Sequence, residues 1–175
     1  IDFRWLIDQA MSMSASILQV PVVAAFELDR FQLVMRAGEG WDTARPDGFE
    51  MRADRACYPG VALAAHGGVA CIERGDDSPP LDALHMREGI TAGVAVVIPG
   101  RSGPYGLLLV GDRRLRQFSR DDIHFLQAIA NVIGAAFERS VIDADLRAEL
   151  AMHHATLEAA ADGILVTDTA GRARR

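Results

Sequence analysis

Leu6, Ala10, Met13 and Ile17 recur at spacings of four, three and four, which predicts a helix over Phe3–Ile17 with one apolar face. Val20–Leu28 and Phe31–Ala37 are apolar, partly β-branched runs joined at Asp29-Arg30, a connection short enough for a hairpin. Gly38-Glu39-Gly40 closes the second strand, and the polar stretch Arg45–Arg55, with Pro46 and Gly48, reads as a loop. Pro59–His66 reads as a short helix, with proline in the first turn and Gly67-Gly68 as the stop. Val69–Glu73 is a strand, Arg74–Ser78 a turn, and Pro80–Glu88 a second short helix with Ser78 or Pro79 near its cap and Gly89 at its end. Ile90–Ile98 and Tyr105–Gly111 are two more strands, linked by the turn-rich Pro99–Pro104. The near-continuous apolar content of Val94–Ile98 and Leu107–Val110 implies strands covered on both faces.

A long helix follows. Ser119 is placed to cap it, and Asp121 and Asp122 sit at the positive end of its dipole. From Arg120 to Ala160 there is no proline and a single glycine, Gly134. Leu126, Ile129 and Ile133 form an apolar stripe in the first half, and Ile142, Leu146, Leu150, His153 and Leu157 continue one further on. Roughly forty residues exceeds the usual globular helix, and the Ala- and charge-rich distal half suits a projecting coiled coil. The distal stripe needs cover, so the expectation is a parallel homodimer through the Phe3–Ile17 and Ser119–Ala160 helices. Gly163 breaks the helix, Ile164–Thr167 reads as the start of a strand and Asp168–Gly171 as a turn. The expected organisation is residues 1–140 as a domain, 141–161 as a signalling helix and 162–175 as the start of a second domain.

Composition narrows the function. Half of the 175 residues are apolar, enough for a substantial core. A net charge of −6 disfavours nucleic acid, since phosphate binding needs concentrated basic surface and the one basic cluster is Arg172, Arg174 and Arg175. Cys57 and Cys71 lack disulfide, zinc or Cys-x-x-Cys spacing, which predicts reduced thiols and a cytoplasmic setting. No apolar run approaches the roughly 18 residues of a spanning helix, so no membrane contact is expected. There is no phosphate-cradling Gly-x-x-x-x-Gly-Lys loop, His-Glu-x-x-His pair or Gly-x-Ser-x-Gly elbow. Glu149 and His153 have a spacing compatible with a metal, and His153-His154 invites a phosphoacceptor reading. A coiled-coil seam histidine with an exposed neighbour accounts for them more simply. No catalytic or metal-ligating residue is assigned.

The stretch Gly93–Arg139, "GVAVVIPGRSGPYGLLLVGDRRLRQFSRDDIHFLQAIANVIGAAFER", follows "VPVVAAFELD", "RAGEGW" and "VACIERGDDSPPLDALHMREGITAG". Over about residues 1–140 this resembles a GAF domain, the small-molecule-sensing fold of many bacterial signalling proteins. The resemblance implies an α+β fold with an antiparallel sheet of about six strands. Terminal helices cover one face, and loops and short helices enclose a pocket on the other. It implies a non-catalytic sensory domain that binds a small molecule or dimerises, and relays the signal through its C-terminal helix. The pocket lining it points to is Phe26, Met35, Tyr58, Leu63, His66 and Met86, with the outward face of Val94–Ile98; His85, like His66, falls in a roofing helix.

Bilin-binding members attach their chromophore to a cysteine followed by His, whereas Cys57 precedes Tyr58 and Cys71 precedes Ile72. Cyclic-nucleotide members carry Asn-Lys and Phe-x-x-x-Asp-Glu; here Phe118 stands one residue too close to Asp121-Asp122, and no matching Asn-Lys precedes it. Both ligands are disfavoured and the cofactor is left unassigned. "LEAAADGILVTDTAGR" resembles the opening of a PAS domain, an arrangement that commonly precedes a histidine kinase or diguanylate cyclase. Two alternatives stand beside the sensory reading. One is a cysteine redox enzyme that reduces methionine sulfoxide, with Cys57 favoured as thiolate before a helix N-terminus. The other is a degenerate GAF domain that only dimerises.

Overall fold

Alternate residues of the central strands are apolar in both phases, so the sheet must be covered twice. The structure, a computed structural model, describes residues 2–46, 48–73, 78–163, 166–167 and 173–174. Ile1–Glu138 and Arg139–Arg175 form separate compact units. The first contains α1 (Phe3–Leu18), β1 (Val22–Asp29), β2 (Gln32–Glu39), β3 (Glu50–Arg52), α2 (Val61–Ala64), β4 (Val69–Ile72), α3 (Ala83–Arg87), β5 (Ala92–Gly100) and β6 (Gly103–Asp112). It also contains the first part of α4 (Arg120–Gly163). The six strands form one antiparallel sheet in the order β3-β2-β1-β6-β5-β4, as expected for an α+β fold of this kind.

One core lies between the sheet and the terminal helices. Ile7, Ala10, Met11 and Leu18 of α1 and Leu126, Ala130 and Ile133 of α4 pack there against Val23, Ala25, Val94, Val96, Ile98, Leu108 and Val110. The second core, on the loop face, holds Phe26, Leu33, Met35, Tyr58, Leu84, Ala95, Leu107 and Leu109. Each fully buried aliphatic or aromatic side chain contributes roughly 1.5–3 kcal/mol. Asp2 caps α1 by accepting from Arg4 N, and Ser119 and Asp122 form a reciprocal capping box at the start of α4. The β1–β2 register breaks once. Between Ala25↔Ala37 and Phe26↔Met35 the β2 strand carries one extra residue, Arg36, which forms a bulge.

Several elements differ from the sequence reading. The stretch read as loop contains β3, three residues that pair with Gln32–Val34; so short a strand carries too little alternation to be visible. Phe31 belongs to the hairpin turn, not to β2, and is 79% exposed beside Arg30, whose φ is 55°. The second short helix is capped not by Ser78 or Pro79 but by Asp82, whose carboxylate accepts from Leu84 N and His85 N. The β5–β6 connection shrinks to Arg101-Ser102 because both strands run further than their apolar cores. Over Arg120–Glu158, α4 is long and apolar enough by composition to cross a membrane, against the expectation that no such run exists. Leu126, Ala130 and Ile133 of that stretch are fully buried in the helix-face core.

In the second unit, α4 runs to Gly163, every side chain from Val141 to Glu158 is exposed, and β7 (Val166–Thr167) pairs antiparallel with β8 (Ala173–Arg174). The proposed turn Asp168–Gly171 lies outside the described residues.

Within the first unit, α4 sits on the β5–β6 hairpin through Gly134. A Cβ there would lie 2.4 Å from the Pro99 carbonyl oxygen, which is backbone and cannot swing away. Gly134→Ala should therefore destabilise the domain by about 1–3 kcal/mol in urea denaturation. That outcome opposes the roughly 1 kcal/mol that alanine gains over glycine inside a helix, so a stabilised variant would show that the helix does not pack this closely. Gly67→Ala, with open space around it, should be near neutral.

Candidate functional site

The loop face is closed by the chain between β3 and β5. The Tyr58-Pro59 bond is cis, and Tyr58 makes a bridge to Leu81, which draws the segment after β3 onto the segment before α3. The Tyr58 ring is fully buried and meets the buried His85 ring edge-on, with centroids 5.0 Å apart. Trp41 meets His85 in the same way at 5.7 Å and Phe26 at 6.4 Å, while its indole Nε1 donates to the Val23 carbonyl at 2.7 Å. His85 Nδ1 lies 2.6 Å from Asp82 Oδ2. With Asp82 ionised, that contact places a proton on Nδ1 and, in the neutral ring, leaves Nε2 as an acceptor.

His85 Nε2 and Tyr58 Oη are both buried, and neither has a hydrogen-bond partner among the described residues. Burial, followed by the nearby Cys71 and Asp82, pushes the Tyr58 phenol well above its ordinary range, so it remains a donor at neutral pH. Gly93 makes room for it, since a Cβ there would stand 2.8 Å from the hydroxyl. A ring nitrogen and a phenol hydroxyl thus face an otherwise apolar core. Leaving such groups unpaired costs about 1–3 kcal/mol each.

Beside this pair lies a satisfied network. Glu88, which ends α3, is 4% exposed. Its carboxylate accepts from Asp42 N at 3.0 Å, Thr43 N at 2.8 Å, the Thr43 hydroxyl, and Arg113 Nη2 at 3.3 Å. Arg113 Nε also donates to the Glu88 carbonyl at 2.9 Å. The group ties the chain after β2, the end of α3 and the end of β6 to one another. Burial alone would raise the Glu88 carboxyl, but the hydrogen bonds from Thr43, Asp42 and Arg113 outweigh it and hold the carboxyl below its ordinary range.

Of the residues singled out from the sequence, Phe26, Met35 and Tyr58 are fully buried together in the loop-face core, and Leu63 packs against it partly buried. His66 and Met86 do not join them. His66 is exposed beyond the end of the four-residue α2, and Met86 is 61% exposed because its neighbour His85 takes the inward position on α3. The Val94–Ile98 strand divides, with Val94, Val96 and Ile98 on the helix face and Ala95 and Val97 on the loop face. Trp41, Asp82 and Glu88 went unrecognised. The Asp-x-x-His spacing of a cap that also holds a histidine was the one signal that pointed to Asp82 and His85.

The thiols behave differently from the expectation for Cys57. Desolvation, then the Asp54 carboxylate, pushes its pKa up, and Sγ lies 3.7 Å from Asp54 Oδ2. Cys71 is raised by burial and by Glu73. The helix that follows Cys57 has only four residues and supplies little dipole to oppose this. Glu149, His153 and His154 are all exposed, and no cluster of metal-ligating side chains occurs among the described residues.

A family model described as a GAF domain matches residues 3–139. Comparison with curated proteins gives no match. Among solved structures, the chain is similar to the GAF domain of an Acinetobacter phosphoenolpyruvate-protein phosphotransferase, with a TM-score of 0.70, 13% identity and coverage of 83% of this chain and 87% of that one. It is similar also to the blue-light absorbing form of the Thermosynechococcus elongatus PixJ GAF domain, at TM-score 0.68 and 18% identity over 87% and 95% of the two chains. A third is the type II free methionine-R-sulfoxide reductase of Thermoplasma acidophilum, at TM-score 0.63 and 16% identity over 77% and 91%. Identities this low establish a shared fold.

The depressed Glu88 carboxyl gives a pH test. A group lowered on folding contributes stability that is fully present above its unfolded pKa, about 4.3, and is lost as pH falls through the folded value. Glu88→Gln should lower stability at pH 7 by about 1–3 kcal/mol. The gap to the wild type should narrow in denaturation curves taken progressively below about pH 4; a gap that stays constant with pH would show that the charge contributes nothing.

Proposed function

The chain belongs to the GAF domain family, and from that premise we propose that it is a non-catalytic sensory module that holds a small polar molecule on the loop face and relays its presence through α4. The observation that carries this reading is the buried pair Tyr58 Oη and His85 Nε2, without partners among the described residues. A ligand offering an acceptor to the phenol and a donor to the imidazole would satisfy both. The bilin-binding neighbours keep bilin among the possible ligand classes, although neither cysteine here is followed by His. Filling of the loop face by Phe26, Met35 and Tyr58 supports a second reading, a domain that has lost its ligand and only dimerises. The sulfoxide reductase likeness is supported less well, because both thiols are held protonated by burial and by carboxylates. Free thiols fit a cytoplasmic setting.

Relay needs a structure that responds. Ile142, Leu146, Leu150 and Leu157 are exposed along α4, and Trp5, Met13 and Ile17 along α1. A parallel homodimer through these two helices covers such patches, and a ligand that favours one packing of the sheet against its helices then shifts the pair. The segment from residue 162 is read as the start of a PAS-like domain leading to an output domain of kinase or cyclase type.

Two measurements test the proposal. If Tyr58 Oη is kept unpaired for a ligand, Tyr58→Phe removes a buried unsatisfied group and should raise the stability of the ligand-free chain by about 1–3 kcal/mol. Loss of stability would mean that the hydroxyl already serves the fold. Leu146→Glu with Leu150→Glu, at positions 54% and 53% exposed in the single chain, should convert a sedimenting dimer to monomer with the strand signal in circular dichroism intact. A wild-type chain that is monomeric at tens of micromolar refutes the dimer.

A further inference from the structure

Every side chain of α4 from Val141 to Glu158 is exposed, and a heptad runs through the stretch. Leu146 and His153 fall at d positions and Leu150 and Leu157 at a positions, at spacings of four, three and four. Three of the four are exposed leucines that a partner helix would cover; the fourth is a histidine. Its neighbours are also out of keeping with a plain seam. Glu149 stands at g and His154 at e, and the side chains of Glu149, His153 and His154 make no hydrogen bond, ion pair or ring contact among the described residues. Their donor atoms are therefore unengaged in the single chain.

We propose that two copies of α4, paired in parallel and in register, hold one zinc ion between Glu149 and His153 of each copy. This rests on the parallel-dimer reading given above and adds a metal to it. In such a pair d faces d, so His153 meets the second copy's His153, while g faces e of the following heptad, so Glu149 meets the second copy's His154. That opposition of carboxylate and imidazole favours a second copy of this chain, in this register, as the occupant of the seam. Within one helix Glu149 and His153 are one turn apart on one face, and a helical side chain leans toward the N-terminus, which carries the His153 ring back over Glu149. One chain thus offers two ligands, half of a tetrahedral set, and no group of three metal-ligating side chains occurs among its described residues. Two-fold repetition supplies the other half. Imidazole nitrogen with carboxylate oxygen is a donor set that zinc takes. Two carboxylates also balance the dication, so the layer closes neutral between the leucine layers at 150 and 157. Without a metal, the paired imidazoles bring polar nitrogens into that seam with nothing apolar neighbours can offer them. The second copy's His154 serves as an outer partner, donating to the carboxylate oxygen that the metal leaves free. A metal bound there clamps the register in which α4 leaves the domain.

Isothermal titration of the untagged, EDTA-treated whole chain with zinc chloride, read beside sedimentation, tests this. Zinc should bind saturably at one ion per two chains, with a Kd of about 10 μM or tighter. His153→Ala and Glu149→Gln, both at exposed positions, should each weaken it at least about tenfold with the helical signal unchanged. His124→Ala, at an exposed position outside the seam, should not. Cobalt in place of zinc should give the intense visible bands of a tetrahedral site, absent in His153→Ala. Leu146→Glu with Leu150→Glu leaves Glu149 and His153 in place but parts the helices, so it should lose zinc as well. A dimer without saturable zinc binding, one ion bound per chain, or undiminished binding by the Leu146 and Leu150 variant would overturn the metal site and leave the dimer standing. A chain that is monomeric with and without zinc overturns both.

Discussion

Everything in the first unit depends on covering β5 and β6 twice. Val94, Val96, Ile98, Leu108 and Val110 face the helices, and Ala95, Leu107 and Leu109 face the loops, all of them fully buried. Neither layer alone hides this surface from water. The terminal helices cover one side as regular elements with an apolar stripe each. The other side is covered by short helices and connecting chain, whose backbone groups need partners that regular structure does not supply. That need explains why the polar networks of the molecule gather on the loop face. Glu88, Arg113, Asp42 and Thr43 fasten three separate segments of chain at one point.

Within this face, the unpaired Tyr58 hydroxyl and His85 imidazole nitrogen stand out. Their surroundings are otherwise thoroughly satisfied, with Asp82 serving at once as cap for α3 and partner for His85 Nδ1. Unmet polar groups in such surroundings destabilise the empty domain, and a binding partner that meets them gains the difference. The opposite face works differently. There the Arg36–Glu27 ion pair lies beside Phe3, Tyr105 and Phe137, so that charge and apolar surface meet where α1, the sheet and α4 converge.

The order of elements was legible because each rests on local signals. A periodic stripe marks α1, the Ser119 cap and the proline-free run mark α4, and continuous apolar runs mark β5 and β6. Their ends were less legible, since β5 begins only at Ala92, inside the stretch read as strand, and is extended to Gly100 through pairing alone. The β3 strand exists because β2 offers it an edge, and nothing in Glu50–Arg52 announces it. The site residues divide along the same line. The burial of Phe26, Met35 and Tyr58 was legible because large apolar side chains in strands or after a loop seek a core. Met86 points outward because a one-residue rotation of a short helix decides which side chain points inward, and His66 is exposed because α2 ends before it.

The sequence by itself determined the order of elements, the two-sided burial of the central strands and the long final helix, through residue types repeating at helical or strand periods that act over a few neighbours; the fold class came with the family resemblance. Only the tertiary structure decided that His85 rather than His66 is buried, that Asp82 orients it, that Glu88 anchors the loops, and that Arg36 pairs with Glu27. Each of those contacts joins residues from different elements or depends on the phase in which an element docks. Local pattern carries no information on either, because the free energy that selects them arises between segments brought together only by folding.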